Sequence, residues 1–183
     1  MRSLYFLPFL ILLASCQATT NFAEYSPLSQ SGTNYAGELD RLDPAARQNK
    51  ETLLRSPKAL REYLAGSTLK TFGEHGVQIS FHAKDGTVWL AYPGNNRPIK
   101  GKWKTNAIGQ FSGVCYFYGP NSVNPLTGRS QSDFLCQKAW NHVMPRTTEV
   151  VSGDIFNLQK RTTLPSRSSL MQDRSVSALR SVF

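Results

Sequence analysis

Residues that carry chemistry are scarce in this chain and poorly spaced for it. Histidine occurs only three times in 183 residues, at His75, His82 and His142, without the i, i+3 or i, i+4 spacing of a helical metal site. Cysteine also occurs three times, at Cys16, Cys115 and Cys136, and no C-x-x-C is present to suggest a redox pair or an activated thiol. No G-x-S-x-G and no phosphate-cradling glycine loop occurs. Glu74, Asp85, Glu149 and Asp154 are the acidic residues that folding would have to bring into a carboxylate pair, and Asp85 and Asp154 already belong to turns. The expectation is therefore a protein that is not an enzyme, with no catalytic residue, metal or cofactor. Acidic residues are outnumbered 12 to 21 by Lys and Arg, which gives a net charge of +9. The apolar run Leu4 to Leu13 contains Pro8 and falls short of the roughly 20 residues needed to span a bilayer.

That short run, preceded by Arg2 and followed by the small residues Ala14 and Ser15, has the layout of an export signal. Leu13-Ala14-Ser15-Cys16 resembles the lipobox of bacterial lipoproteins. The resemblance implies cleavage before Cys16, a diacylglycerol on its sulfur and a further acyl chain on its new amino group. Each buried methylene contributes about 0.8 kcal/mol, so two or three chains would hold the protein to a membrane without inserting polypeptide. Gln17 stands where lipoproteins kept in the inner membrane of enteric bacteria carry Asp, which implies the outer membrane, facing the periplasm. Lipidation of Cys16 removes the odd thiol and leaves Cys115 and Cys136 paired outside the cytoplasm, where a disulfide is expected. Nucleic acid is not an expected partner in that compartment.

Residues 16–42 are rich in Ser, Thr, Asn and Gln and read as a flexible tether. Asp43-Pro44 and Ser56-Pro57 each place an N-cap residue before a proline at the first helical position, so short helices are predicted within 43–66, the second stopped by Gly66. From residue 67 the apolar period becomes two, as in Val77, Ile79 and Phe81. Strands are predicted near 68–72, 76–82, 87–92, 98–105, 110–118, 132–140, 146–151 and 155–160, with turns at Lys84-Asp85-Gly86, Pro93-Gly94-Asn95-Asn96 and Ser152-Gly153-Asp154. This describes a mainly β domain over 67–160, a small antiparallel curled sheet or barrel of about eight strands. The basic, Ser-rich residues 161–183 read as a flexible tail, with a weak amphipathic helix carrying Leu170, Met171, Val176, Leu179, Val182 and Phe183 as the alternative.

Asp85-Gly86 followed by Gly101-Lys102-Trp103 resembles the small lipocalin-like β-domains of exported bacterial proteins, in which a Gly-x-Trp lays the indole across one end of a sheet. Lipocalins carry that motif in the first strand, whereas here several strands precede it. The D-G hairpin, the G-x-W and the cysteine after it are also similar to an uncharacterised group of small exported proteobacterial proteins, a likeness that implies no activity.

Strand alternation puts Lys100, Lys102 and Lys104 on one face and Ile99, Gly101 and Trp103 on the other. Two readings stand. One is a basic stripe for anionic headgroups, lipopolysaccharide phosphate or an acidic glycan. The other is a solvated strand whose lysines discourage edge pairing. The functional expectation is a lipid-anchored, non-enzymatic binding or assembly module that meets an envelope protein or anionic polymer through this stripe or the loop from Gly119 to Gln131. The alternative is a lipid-anchored inhibitor of a hydrolase, with that loop protruding.

Overall fold

In a computed structural model, residues 44–125, 127–139 and 147–183 are described. The expected lipidation site Cys16, the expected tether, Trp140 and His142 lie outside them. Every element named below belongs to the compact unit 34–183.

Helix α1 spans Pro44–Arg55 and α2 spans Pro57–Leu64. Proline opens both because an N1 residue needs no backbone N–H. The Ser56 hydroxyl accepts a hydrogen bond from the Ala59 N–H at 3.2 Å, capping α2. Seven strands follow: β1 Ser67–Gly73, β2 Gly76–His82, β3 Thr87–Ala91, β4 Ile99–Ile108, β5 Phe111–Phe117, β6 Leu135–Lys138 and β7 Thr147–Ser152. They form one antiparallel sheet, curled as a half-barrel, in the order β6-β5-β4-β3-β2-β1-β7. The first six strands are a meander. β7 returns to the far side of β1, pairing Thr68 with Val151 and Lys70 with Glu149.

Register assigns every strand residue to one of two faces. On one face Leu69, Val88, Trp103 and Val114 meet Leu54, Leu60 and Leu64 of the helices, all essentially buried. Leu60 and Leu64 are four apart and share a helix side, so each full burial contributes about 1.5–3 kcal/mol. On the opposite face Val77, Ile79, Phe81 and Ala91 are covered by Phe156, Leu158, Leu170, Val176 and Leu179 from the C-terminal segment. The sheet is thus the middle layer of three over β1 to β3, in place of a barrel wall around a cavity.

Two expectations are corrected by this arrangement. Residues 155–160 are not a strand, although Phe156 and Leu158 alternate as strand residues would. The Asp154 carboxylate accepts hydrogen bonds from the N–H groups of Leu158 (2.8 Å) and Gln159 (3.0 Å), and Asn157 takes a left-handed φ of 53°, so the backbone coils there. Residues 161–183 are not a frayed tail. They contain a 3-10 turn, Arg167–Leu170, and a short helix α3, Val176–Leu179, whose apolar residues complete the second core. Leu170, Val176 and Leu179 are too widely spaced along the chain for a single helix, which is why the segment reads as tail from composition alone.

Polar anchors hold this segment down. Lys70 projects from β1 among these apolar groups with only 3% exposure, and its ammonium lies 3.1 Å from Glu149 of β7 and 2.7 Å from Asp173. Both Glu149 oxygens also accept from the Val176 N–H, at 3.0 and 3.1 Å. Burial opposes the lysine charge, but hydrogen bonds and attraction from Asp173 and Glu149 outweigh it and raise its pKa above the ordinary value. At Gly76, φ is +89° and a Cβ would lie 2.5 Å from the Leu170 carbonyl oxygen, so the bare glycine backbone seats the 3-10 turn.

Candidate functional face

β4 is the longest strand, and only part of its surface is covered by other elements. Trp103, on the helix side, is buried at 2% exposure; its indole N–H donates to the Ala83 carbonyl at 2.9 Å and Arg61 lies over its ring at 4.9 Å. His82 meets the same ring edge-on and pairs with the Tyr116 hydroxyl at 2.8 Å. Burial pushes the Tyr116 and Tyr118 phenols well above their ordinary range. The G-x-W glycine has a packing reason: a Cβ on Gly101 would lie 2.5 Å from the Tyr118 ring and 2.7 Å from the Phe117 carbonyl oxygen. All of this belongs to the core.

Lys100, Lys102 and Lys104 point the other way and are exposed. Pairing places Lys100 opposite Trp89, Lys102 between Thr87 and Phe117, and Lys104 opposite Cys115. The Lys100 ammonium stands 5.6 Å from the centre of the Trp89 ring and that of Lys104 stands 4.3 Å from the Phe134 ring. Phe117 and Phe134 lie against each other at 5.6 Å. Cys136 sits directly opposite Cys115, with the sulfurs bonded at 2.05 Å, so the disulfide ties β6 to β5 beside Lys104.

The same register brings Lys138 of β6, paired with Gly113, onto this face. The sequence reading omitted Lys138, although alternation from the paired Cys136 would have placed it. Among the described strand residues of this face from β3 to β6 none is acidic. Asp85, in the turn before β3, feels the charge of Lys100. Its carboxyl is held below the ordinary value first by the Thr87 backbone N–H, then by the Thr87 side chain, and last by Lys100.

The remaining candidates are each engaged locally. Glu149 serves Lys70, and Asp154 caps the coil after β7. His75 Nδ1 and the Tyr92 hydroxyl share a hydrogen bond, while His75 Nε2 is 3.8 Å from Glu74. Asn124 donates to that same hydroxyl at 3.0 Å, and Pro125 packs over Gly94, where a Cβ would be 3.2 Å from its ring. The loop from Gly119 to Gln131 is therefore drawn back onto the end of β3 at Asn124 and Pro125. Among the described residues no cluster of three or more His, Cys, Asp or Glu is arranged to hold a metal ion. No helix among them is long and apolar enough to cross a membrane.

Comparisons with protein-family models, with curated proteins and with solved structures find no match to this chain.

Proposed function

We propose that this chain is a lipid-anchored envelope lipoprotein that acts without catalysis, as a binding module for an anionic envelope component. One observation supports the binding surface most: Lys100, Lys102, Lys104 and Lys138 share a face on which no described strand residue from β3 to β6 is acidic. Three like charges on alternate positions of one strand, with a fourth two strands away, repel one another, so this face is kept at a cost that an anionic partner would relieve. Lysines on alternate positions of an edge strand discourage aggregation, but β4 has partners on both sides as far as Lys102, so edge protection does not account for Lys100 and Lys102.

The membrane address rests on the Leu13-Ala14-Ser15-Cys16 motif. In this reading Cys16→Ser abolishes labelling by a fatty-acid probe and releases the protein from membranes, and unchanged labelling removes the anchor from the proposal. The binding role is tested by replacing Lys100, Lys102 and Lys104 with Gln in the unlipidated domain. Loss of salt-sensitive retention on isolated envelopes is expected. Equal retention of the variant and the unaltered domain across a salt titration would refute it.

A further inference from the structure

We infer that the partner of the basic face is the anionic headgroup layer of a bilayer. This rests on the reading of that face as an anion-binding surface and names its target. Three features separate a bilayer from an extended anionic polymer.

The first is shape. Alternate residues along a strand are about 6.7 Å apart and neighbouring strands about 4.8 Å, so Lys100, Lys102 and Lys104 form a row while Lys138 lies roughly 10 Å to its side. The charges spread over an area two strands wide and are not confined to a line that one polymer strand would follow.

The second is the choice of cation. The chain contains more arginines than lysines, yet this face carries lysine alone. An arginine fork grips an individual phosphate or carboxylate in a fixed bidentate geometry, whereas a hydrated, rotatable ammonium responds to a diffuse field. The third is what accompanies the charge. Neutral polar side chains on this face from β3 to β6 are confined to Thr87 and Asn106 among the described strand residues, too few to read the hydroxyls of a sugar. Partly exposed Trp89, Phe117 and Phe134 stand among the lysines instead. Aromatic rings beside cationic groups are at home where headgroups meet hydrocarbon.

The test uses the compact unit from Asn34 onward, which contains every element described, and measures co-sedimentation with vesicles of neutral phosphatidylcholine with or without phosphatidylglycerol. Binding only to the anionic vesicles, lost as salt rises, is expected. Gln at Lys100, Lys102 and Lys104 should weaken it on the order of 100-fold, while Arg at all three should restore it, since a diffuse field reads charge and not donor geometry. Retention of circular dichroism and melting temperature in the Gln variant separates lost binding from lost folding. Equal binding to neutral and anionic vesicles overturns the inference. Binding to a soluble polyuronate in the absence of vesicle binding also overturns it, but leaves the anion-binding reading standing. Binding to neither removes both.

Discussion

The ammonium of Lys70 lies 2.7 Å from the carboxylate of Asp173, joining the middle of β1 to a residue ten positions before Phe183. With Glu149 at 3.1 Å the lysine bridges strand and C-terminal segment from inside the protein. Losing Glu149 removes an ion-pair partner and the acceptor of the Val176 N–H together. Glu149→Ala is therefore expected to lower stability by about 1–3 kcal/mol, more than Asp173→Ala, as read by denaturant titration. Equal effects would place the Val176 contact outside the energetics of docking.

Alkaline pH should act on the same core. Lys70 has its pKa raised, so its ion-pair stabilisation is fully present below the ordinary lysine value and fades as pH climbs through the raised one. The Tyr116 and Tyr118 phenols are raised by burial, so unfolding favours their ionisation and they too withdraw stability as pH rises above the ordinary tyrosine value. The melting temperature should therefore fall steeply above about pH 10. Tyr118→Phe should flatten that fall, and an unchanged slope would count against burial as its cause.

Gly101→Val is expected to destabilise by about 1–3 kcal/mol through overpacking, because the added Cβ meets both the Tyr118 ring and the Phe117 carbonyl. Combining it with Tyr118→Ala should recover only part of the loss, since the backbone oxygen remains. Full recovery in the double variant would show that the backbone had moved aside.

Reduction, or Cys115→Ala, should cost on the order of 3 kcal/mol, the value expected for closing a loop of this length between residues 21 apart. Native protein should show no alkylatable thiol at either position. Thermal melts with and without reductant supply the check, and coincident melts would assign the stability of β6 to its strand pairing alone.

Gly76→Ala should loosen the C-terminal segment without unfolding the sheet, because the Cβ strikes the Leu170 carbonyl while β2 keeps its partners on both sides. Trypsin should then cut faster at Arg161, Arg167 and Arg174, with the meander left intact. Unaltered cleavage would show that the segment is held chiefly by its apolar and ionic contacts.

Much of the fold is legible in residue patterns because its local rules agree. The helices begin at Pro44 and Pro57, as the cap-proline pairs predict, and β2 falls on the predicted 76–82. Register and partnership are less legible. The lysine stripe follows from alternation, but the lack of acidic strand partners and the place of Lys138 emerge only when β4, β5 and β6 are aligned. Asp154 hides a coil inside an alternating pattern, and a Ser-rich composition hides the packing of Leu170, Val176 and Leu179. In both cases the deciding partner lies outside the local window.

The return of β7 to the flank of β1 also sets the order in which this molecule can be completed. A chain emerging from its N-terminal end makes β1 early and pairs it with β2 through a short turn, yet its other edge waits for residues 147–152. Closing that long loop imposes an entropic cost that no nearby contact offsets in advance. Until it closes, Lys70 has neither of its carboxylates, and the strand that becomes interior to the sheet is a bare edge open to mispairing.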